Sequence, residues 1–314
     1  MKLLKILACL AMGLFVLLGG YLAVNWEPDR PARSLMPRWA PLPSRFFGLG
    51  GVEVHYRDEG RRDDPSPLVL LHGTSSSLHT WEGLAYLLSS QKRVISLDLP
   101  GFGLTGPSPD GDYRTETEAR FVLQFLDALH VQKFDVAGNS MGGNVAWRLA
   151  LLAPERVQHL ILIDATGQVF TPESIPLGFR LARTPVLNEL LRDVLPRGVI
   201  ESSVRNVYGD PTRVKPVVID RVFELTLREG NREALIRSFE QADHGADVER
   251  IKTIKTPTLI IWGGKDRLIP PENAKLFATQ IAGSRLEMFD DLGHVPQEED
   301  PARIAAAVKA FLGI

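Results

Sequence analysis

The chain has one cysteine, Cys9, in 314 residues, which excludes an intramolecular disulfide and any cysteine-rich metal site. It carries no block of like charge; 36 Lys and Arg against 38 Asp and Glu leave a net charge of −2. Without a basic patch, nucleic acid is not an expected partner. Gly101-Phe102-Gly103 lacks a third spaced glycine, so no dinucleotide fingerprint follows the strand before it. No group of His, Cys, Asp or Glu has metal-ligand spacing, and neither a metal nor a cofactor is expected. Internal repeats are missing as well. What remains is ordinary globular composition, 44% hydrophobic and 24% charged, enough for one large domain or a domain with an insertion.

The N-terminus departs from that composition. Lys2 and Lys5 precede Ile6 to Val24, nineteen residues without a charge. As a helix this run is about 28 Å long, close to the hydrocarbon thickness of a bilayer. A cleaved signal peptide has a shorter apolar region and an A-x-A-like site, which is not seen around Gly20 to Asn25. Ile6-Leu7-Ala8-Cys9 faintly resembles a lipoprotein cleavage box, but the apolar run continues past it. The expectation is an uncleaved single-pass anchor over residues 1–25, with residues 6–24 in the lipid bilayer. Lys2 and Lys5 point to an N-terminus inside and a main domain outside the cytoplasm, although Arg30, Arg33 and Arg38 reduce the asymmetry. Residues 26–50, with five prolines between Glu27 and Ser44, read as a stiff extended tether on which the fold does not depend.

From Gly51 onward short apolar runs alternate with helical patterns. Val52 to Arg57 alternates as a half-exposed strand does, and Leu68-Val69-Leu70-Leu71 fits a strand buried on both faces. Arg93–Asp98, Phe134–Ala137, Val157–Ile163, Thr258–Trp262 and Arg285–Phe289 are further strands, with helices between most of them. Such alternation predicts an α/β fold with a mostly parallel, doubly wound sheet. Residues 168–241 break the pattern with six prolines among short helical stretches. They are expected to form a helical cap over a core made of 51–167 and 242–314.

The chain is organised around Val136-Ala137-Gly138-Asn139-Ser140-Met141-Gly142-Gly143. A buried strand enters Gly138-x-Ser140-x-Gly142 and a helix leaves it, so small residues let the backbone turn tightly and present the serine hydroxyl. This is the pattern of a nucleophile elbow. Its structural alternative is a glycine-rich turn with no chemistry.

Four segments in order, His72-Gly73, Gly138-x-Ser140-x-Gly142, Trp262-Gly263-Gly264-Lys265-Asp266 and Gly293-His294, resemble the α/β-hydrolase superfamily in its cap-bearing, esterase/lipase-like branch. The resemblance spans about Gly51 to Ile314 and implies a serine, acid, histidine order of catalytic groups. A serine hydroxyl needs an adjacent base, and histidine has the pKa nearest neutrality. Of seven histidines, His294 alone lies in a late Gly-flanked loop after a strand. His72 fits a loop-holding role; His130 and His159 read as structural or solvent-facing, His55 lies in a strand, His244 follows the insertion, and His79 is open. Asp266 stands where the superfamily places its acid, and Asp164, closing the preceding strand, is the alternative. Asp98 reads as a structural turn residue, and Asp290 and Asp291 lie too near His294. An oxyanion needs two donors. The resemblance implies the backbone N–H groups of Met141 and Thr74, while the side chains of Thr74 to Ser77 could instead cap the following helix.

The activity this implies is cleavage of carboxylic esters, or of a related acyl or carbon–carbon bond, in a small, apolar substrate. Haloalkane and epoxide chemistry needs a carboxylate where Ser140 stands. A cofactor-free haloperoxidase-like reaction on the same triad is the enzymatic alternative, and a non-catalytic membrane-anchored binding protein the alternative from another class.

Overall fold

Leu68–Leu71, wholly apolar, is buried along its length and lies in the middle of an eight-stranded sheet. The computed structural model describes every residue except Met1, Val186, Leu191, Asp243 and His244, together with the side chains of all but Leu3, Ala8 and Leu190 among the rest. The strands are β1 (Arg45–Leu49), β2 (Val52–Gly60), β3 (Leu68–Leu71), β4 (Arg93–Leu97), β5 (Phe134–Asn139), β6 (Val157–Ile163), β7 (Thr258–Gly263) and β8 (Arg285–Phe289). Their order is β1-β2-β4-β3-β5-β6-β7-β8. β1 and β2 pair antiparallel with their neighbours, and all pairs from β4 to β8 are parallel. Two apolar clusters cover the faces. One gathers Trp147, Phe125 and Trp262, and the other Trp81, Leu84 and Ile304. Burial on both sides explains why these strands read as continuous apolar runs. The sequence expectation of a mostly parallel α/β sheet holds.

Between β6 and β7 the described residues form six short α-helices and one 3-10 turn, among them Leu177–Ala182, Arg197–Val207, Pro216–Thr226 and Asn231–Glu240. They share a small core of their own around Leu195, Ile200, Val218 and Phe223. His244 lies outside the described residues.

The N-terminal segment is where sequence and structure differ most. Lys2–Val24 is a helix with exposed apolar side chains, and Leu4–Val24 is long and apolar enough to cross a membrane. The stretch after it is not an extended tether. Ala32–Trp39 forms a helix whose Leu35 and Trp39 are buried against Leu104 and Leu225. Trp26 and Arg30 form bridges with Val194 and Arg228 of the insertion. Trp39 Nε1 donates to Glu224 at 2.6 Å, Arg38 pairs with Glu224 and Asp220, and Arg232 Nε donates to Asp29 at 3.0 Å. Prolines suggested extension, but Pro37 sits inside the helix and the polar side chains around it find fixed partners. Residues 45–49, counted with the tether by sequence, are the edge strand β1.

In the first turn of the helix Thr115–Ala128, Glu118 is fully buried with both carboxylate oxygens unpartnered. Burial, with the like charge of Asp112, pushes its pKa up to about 8 from the ordinary 4.5. Stability from the protonated Glu118 is therefore complete below about pH 4.5 and lost as pH rises through about 8. Glu118→Gln should remove that dependence and stabilise the protein by several kcal/mol above pH 8. Thermal melts across pH check this; parallel curves for parent and variant would contradict it.

Candidate active site

The turn from β5 into helix Met141–Leu152 forces Ser140 to φ 56°, ψ −119°, a conformation that costs an L-residue about 1 kcal/mol or more. The glycines around it are required by close approach. A Cβ at Gly138 would lie 2.1 Å from the Gly142 carbonyl, and one at Gly142 would lie 2.2 Å from that of Leu71. The elbow is also tied from outside. Ser140 N–H donates to Ile163 at 3.1 Å, and Thr166 N–H donates to the Ser140 carbonyl at 3.0 Å. Asn139 Nδ2 donates to the His294 carbonyl at 2.9 Å, linking the elbow to the late loop.

His294 and Asp266 come from the loops after the adjacent parallel strands β8 and β7. Asp266, in the loop after β7, accepts backbone N–H groups of Leu268 and Ile269 on Oδ1 at 2.8 and 3.0 Å. Its Oδ2 accepts His294 Nδ1–H at 2.7 Å, and both residues are buried. His294 is held by its own N–H on the Val207 carbonyl at 2.8 Å, and its loop by Glu299, which accepts from Gly293 N–H at 2.7 Å. Ser140, His294, Asn139, Gly73 and Thr74 all line one cavity of about 90 Å³. The structure thus brings Ser140, Asp266, His294 and Thr74 to one end of the sheet. Met141, the first residue of the helix after the elbow, follows Ser140 with its N–H free of any intrahelical acceptor.

Asp164 lies there too, fully buried at φ 44°, with Oδ1 accepting Gly263 N–H at 3.0 Å. Ligand atoms of Asp164, Asp266 and His294 fall within 4.8 Å of one another. A cation does not suit this group, because Asp266 already faces three N–H donors and His294 Nδ1 is one of them. The hydrogen bond from the His294 ring goes to Asp266, not to Asp164.

The other histidines have structural partners. His72 Nε2 accepts Leu99 N–H at 3.0 Å while Nδ1–H donates to the Gly73 carbonyl at 2.8 Å, so it holds the loop as its position suggests. His159 pairs with Asp135, and His130 is exposed. His79 Nε2–H donates to the Trp39 carbonyl at 2.7 Å, which resolves the residue the sequence left open. The alternative role of a side-chain cap is not taken by Ser77; its Oγ donates to His79 Nδ1, and Asp98 Oδ1 accepts Leu78 N–H instead, at 2.7 Å. Sequence reading also passed over a second serine–imidazole–carboxylate chain. His55 Nδ1–H donates to Asp98 at 2.7 Å and Nε2 accepts from Ser44 Oγ at 2.9 Å. Burial opposes the Asp98 charge, yet His55 beside it keeps its pKa below the ordinary carboxylate value. Arg57 Nε donates to the same Ser44 oxygen, and none of the three lines the cavity above, so this chain pins the N-terminal segment to the sheet.

The chain is similar to known hydrolases. A family model described as the alpha/beta hydrolase fold matches residues 66–301. The chain is 29% identical over 285 residues to 2-hydroxymuconate semialdehyde hydrolase of Pseudomonas putida, covering 88% of this chain and 96% of that one. It is equally identical over 300 residues to 2-hydroxy-6-oxononadienedioate/2-hydroxy-6-oxononatrienedioate hydrolase of Escherichia coli K12, covering 89% and 99%. Among solved structures, the meta-cleavage product hydrolase of Pseudomonas fluorescens superposes with a TM-score of 0.74 at 25% identity, over 86% of this chain and 97% of that one. A membrane phospholipase A superposes with a TM-score of 0.70 at 25% identity, over 99% of this chain and 96% of that one. A Ser-Asp-His triad is typical of this family, and the chain belongs to the α/β-hydrolase superfamily.

Proposed function

We propose that the chain is a membrane-anchored serine hydrolase that cleaves carboxylic esters bearing an apolar acyl chain. Ser140 Oγ attacks the ester carbonyl, and His294, oriented through Nδ1 by Asp266, takes its proton on Nε2. The N–H groups of Met141 and Thr74 stabilise the oxyanion. Collapse expels the alcohol, protonated by His294, and leaves an acyl-enzyme on Ser140. Water, deprotonated by His294, then releases the acid. Carbon–carbon cleavage and a haloperoxidase-like reaction could use the same three side chains, and the lining of the cavity favours the ester reading.

The observation that carries the ester reading is the cavity wall. Beside Ser140 and His294 it presents Phe179, Val204, Val207, Val218, Val222 and Leu268. A second cavity of about 60 Å³ shares Phe179, Ser203 and Val222 with it and continues among Ala182, Leu195 and Ile200 of the insertion. A dienedioate of the kind named for the Escherichia coli relative carries carboxylates that call for an unpaired cation. The guanidinium in this cavity, Arg221, is already paired with Glu298 at 2.7 Å. The anchor reading is supported by the likeness to the membrane phospholipase A, which extends over 99% of the chain where the meta-cleavage product hydrolase reaches 86%.

A fluorophosphonate probe should label the full chain at Ser140, and p-nitrophenyl esters should be hydrolysed with kcat/KM rising from acetyl to medium-length acyl chains. Labelling without ester turnover, but with cleavage of a dienoate carbon–carbon bond, would move the chain to the chemistry of its curated relatives. No labelling of folded protein would favour a binding role for the scaffold.

A further inference from the structure

The loop Asp164-Ala165-Thr166 is wedged between the elbow and the loop bearing Asp266. A Cβ at Gly143 would lie 2.4 Å from that of Ala165, and Thr166 is bonded to Ser140 by both its N–H and its hydroxyl. Asp164 itself extends the β6–β7 ladder beyond its last residues. Its N–H donates to the Ile261 carbonyl at 3.1 Å, and its Oδ1 accepts Gly263 N–H. One main-chain and one side-chain bond, both to β7, hold it at positive φ, where an L-residue is otherwise disfavoured. The remaining oxygen, Oδ2, is buried without a donor, in a cluster where the neighbouring acceptor is the Asp266 carboxylate.

Two carboxylates cannot both be charged in so small a space shut off from water. Asp266 has three N–H donors to stabilise its charge, whereas Asp164 has one. The proton therefore belongs on Asp164. We infer that Asp164 is a positioning residue of this site: a neutral carboxylic acid whose O–H donates to the Asp266 carboxylate and holds it against His294. The inference rests on the reading of Asp266 as the acid of the triad. Burial, and then the adjacent Asp266 charge, raise the Asp164 pKa well above the carboxylate range, in keeping with this assignment. A further charge in reach is Glu299, whose oxygens accept the N–H groups of Gly293 and Gly209.

An O–H donor on Asp266 has two consequences. It fixes the carboxylate in the plane that meets Nδ1, and it withdraws negative charge from the imidazole. His294 then stays neutral, and able to take the Ser140 proton, to lower pH. Removing the donor should cost kcat and move the acid limb of the kcat/KM profile to higher pH, with KM little changed.

The test compares D164A and D164N in the full chain. D164A should lose roughly tenfold in kcat, the size expected for a hydrogen bond to a charged group, and its acid limb should move up. D164N, whose amide N–H can replace the O–H, should recover most of that loss and return the limb to its parental position. A limb that moves down in D164N would mean an ionised Asp164 and overturn the inference. So would a D164A profile like the parent's, or losses in both variants as large as those of Asp266→Asn, which would make Asp164 the triad acid. If D164A fails to fold, infrared spectroscopy decides. At neutral pH the protonated-acid carbonyl region should hold contributions from Glu118 and Asp164, and in an E118Q background the remaining band should vanish in D164N; a band unchanged by D164N in that background overturns the assignment. Fluorophosphonate labelling of the parent keeps the two readings apart, since its failure speaks against the catalytic site and leaves the infrared result standing.

Discussion

Ser140→Ala and His294→Ala are each expected to reduce kcat by about 10⁴- to 10⁶-fold, and the double variant should be little worse than either single one. Ser140 lines the same cavity as His294, and the His294 ring is fixed through Nδ1 by Asp266 at 2.7 Å. Without the imidazole the hydroxyl has no acceptor for its proton; without the hydroxyl the imidazole has nothing to activate. Each loss therefore removes the same step, and residual turnover would come from the Met141 and Thr74 N–H groups and from binding. Asp266→Asn should cost about 10⁴-fold, because an amide can present the wrong tautomer to Nδ1. Steady-state rates on a p-nitrophenyl ester, with thermal melts to show that each variant folds, measure these effects. Losses that multiply in the double variant would separate the two residues into independent roles.

The features of the site that are legible in sequence are those encoded by close contact within a short stretch. Gly138 and Gly142 are dictated by backbone atoms a few residues away or on the adjacent strand, so a turn this tight leaves a visible trace. His294 is recognisable because it sits in a glycine-flanked loop after a strand, and parallel strands deliver such loops to the same edge as the elbow. Asp164 and Asp266 are harder to rank, since both close buried strands. Only the direction of His294 Nδ1 and the two N–H groups at Asp266 Oδ1 separate them. Asp98 shows the limit from another side. Its partners include His55, forty-three positions earlier, and the N–H groups of Leu78 and Leu104, and no local pattern announces that convergence.

The N-terminal segment was misread for the same reason, at greater range. Trp39 and Glu224 are 185 positions apart, and Arg232 and Asp29 are 203. Five prolines and an eight-residue helix give no periodic signal, so composition alone suggests an extended linker. The partners lie in the insertion, which has few strong patterns of its own. The connection from the apolar helix to the hydrolase fold therefore runs across the cap and forms part of its packing.

That packing changes what truncation should do. Removing residues 1–24 takes away the apolar helix and keeps Asn25, whose carbonyl accepts Leu195 N–H at 3.0 Å. This variant should be soluble and retain parental activity on small water-soluble esters. Removing residues 1–44 also strips Leu35 and Trp39 from Leu104 and Leu225, worth about 2–3 kcal/mol for each side chain. It removes Asp29 from Arg232, a guanidinium with 5% of its side chain exposed, and leaves that charge buried and unpaired. Glu224 loses Trp39 and Arg38 together. The shorter protein should melt roughly 10 °C or more below the 25–314 form and lose activity as the cap loosens. The full chain should sediment with membranes and resist carbonate extraction, as an inserted helix does. Equal melting temperatures for the two truncations would restore the independent tether. Release of the full chain by carbonate, or a mature N-terminus near Gly20–Asn25 or at Cys9, would remove the anchor and leave the strap across the cap to be tested alone.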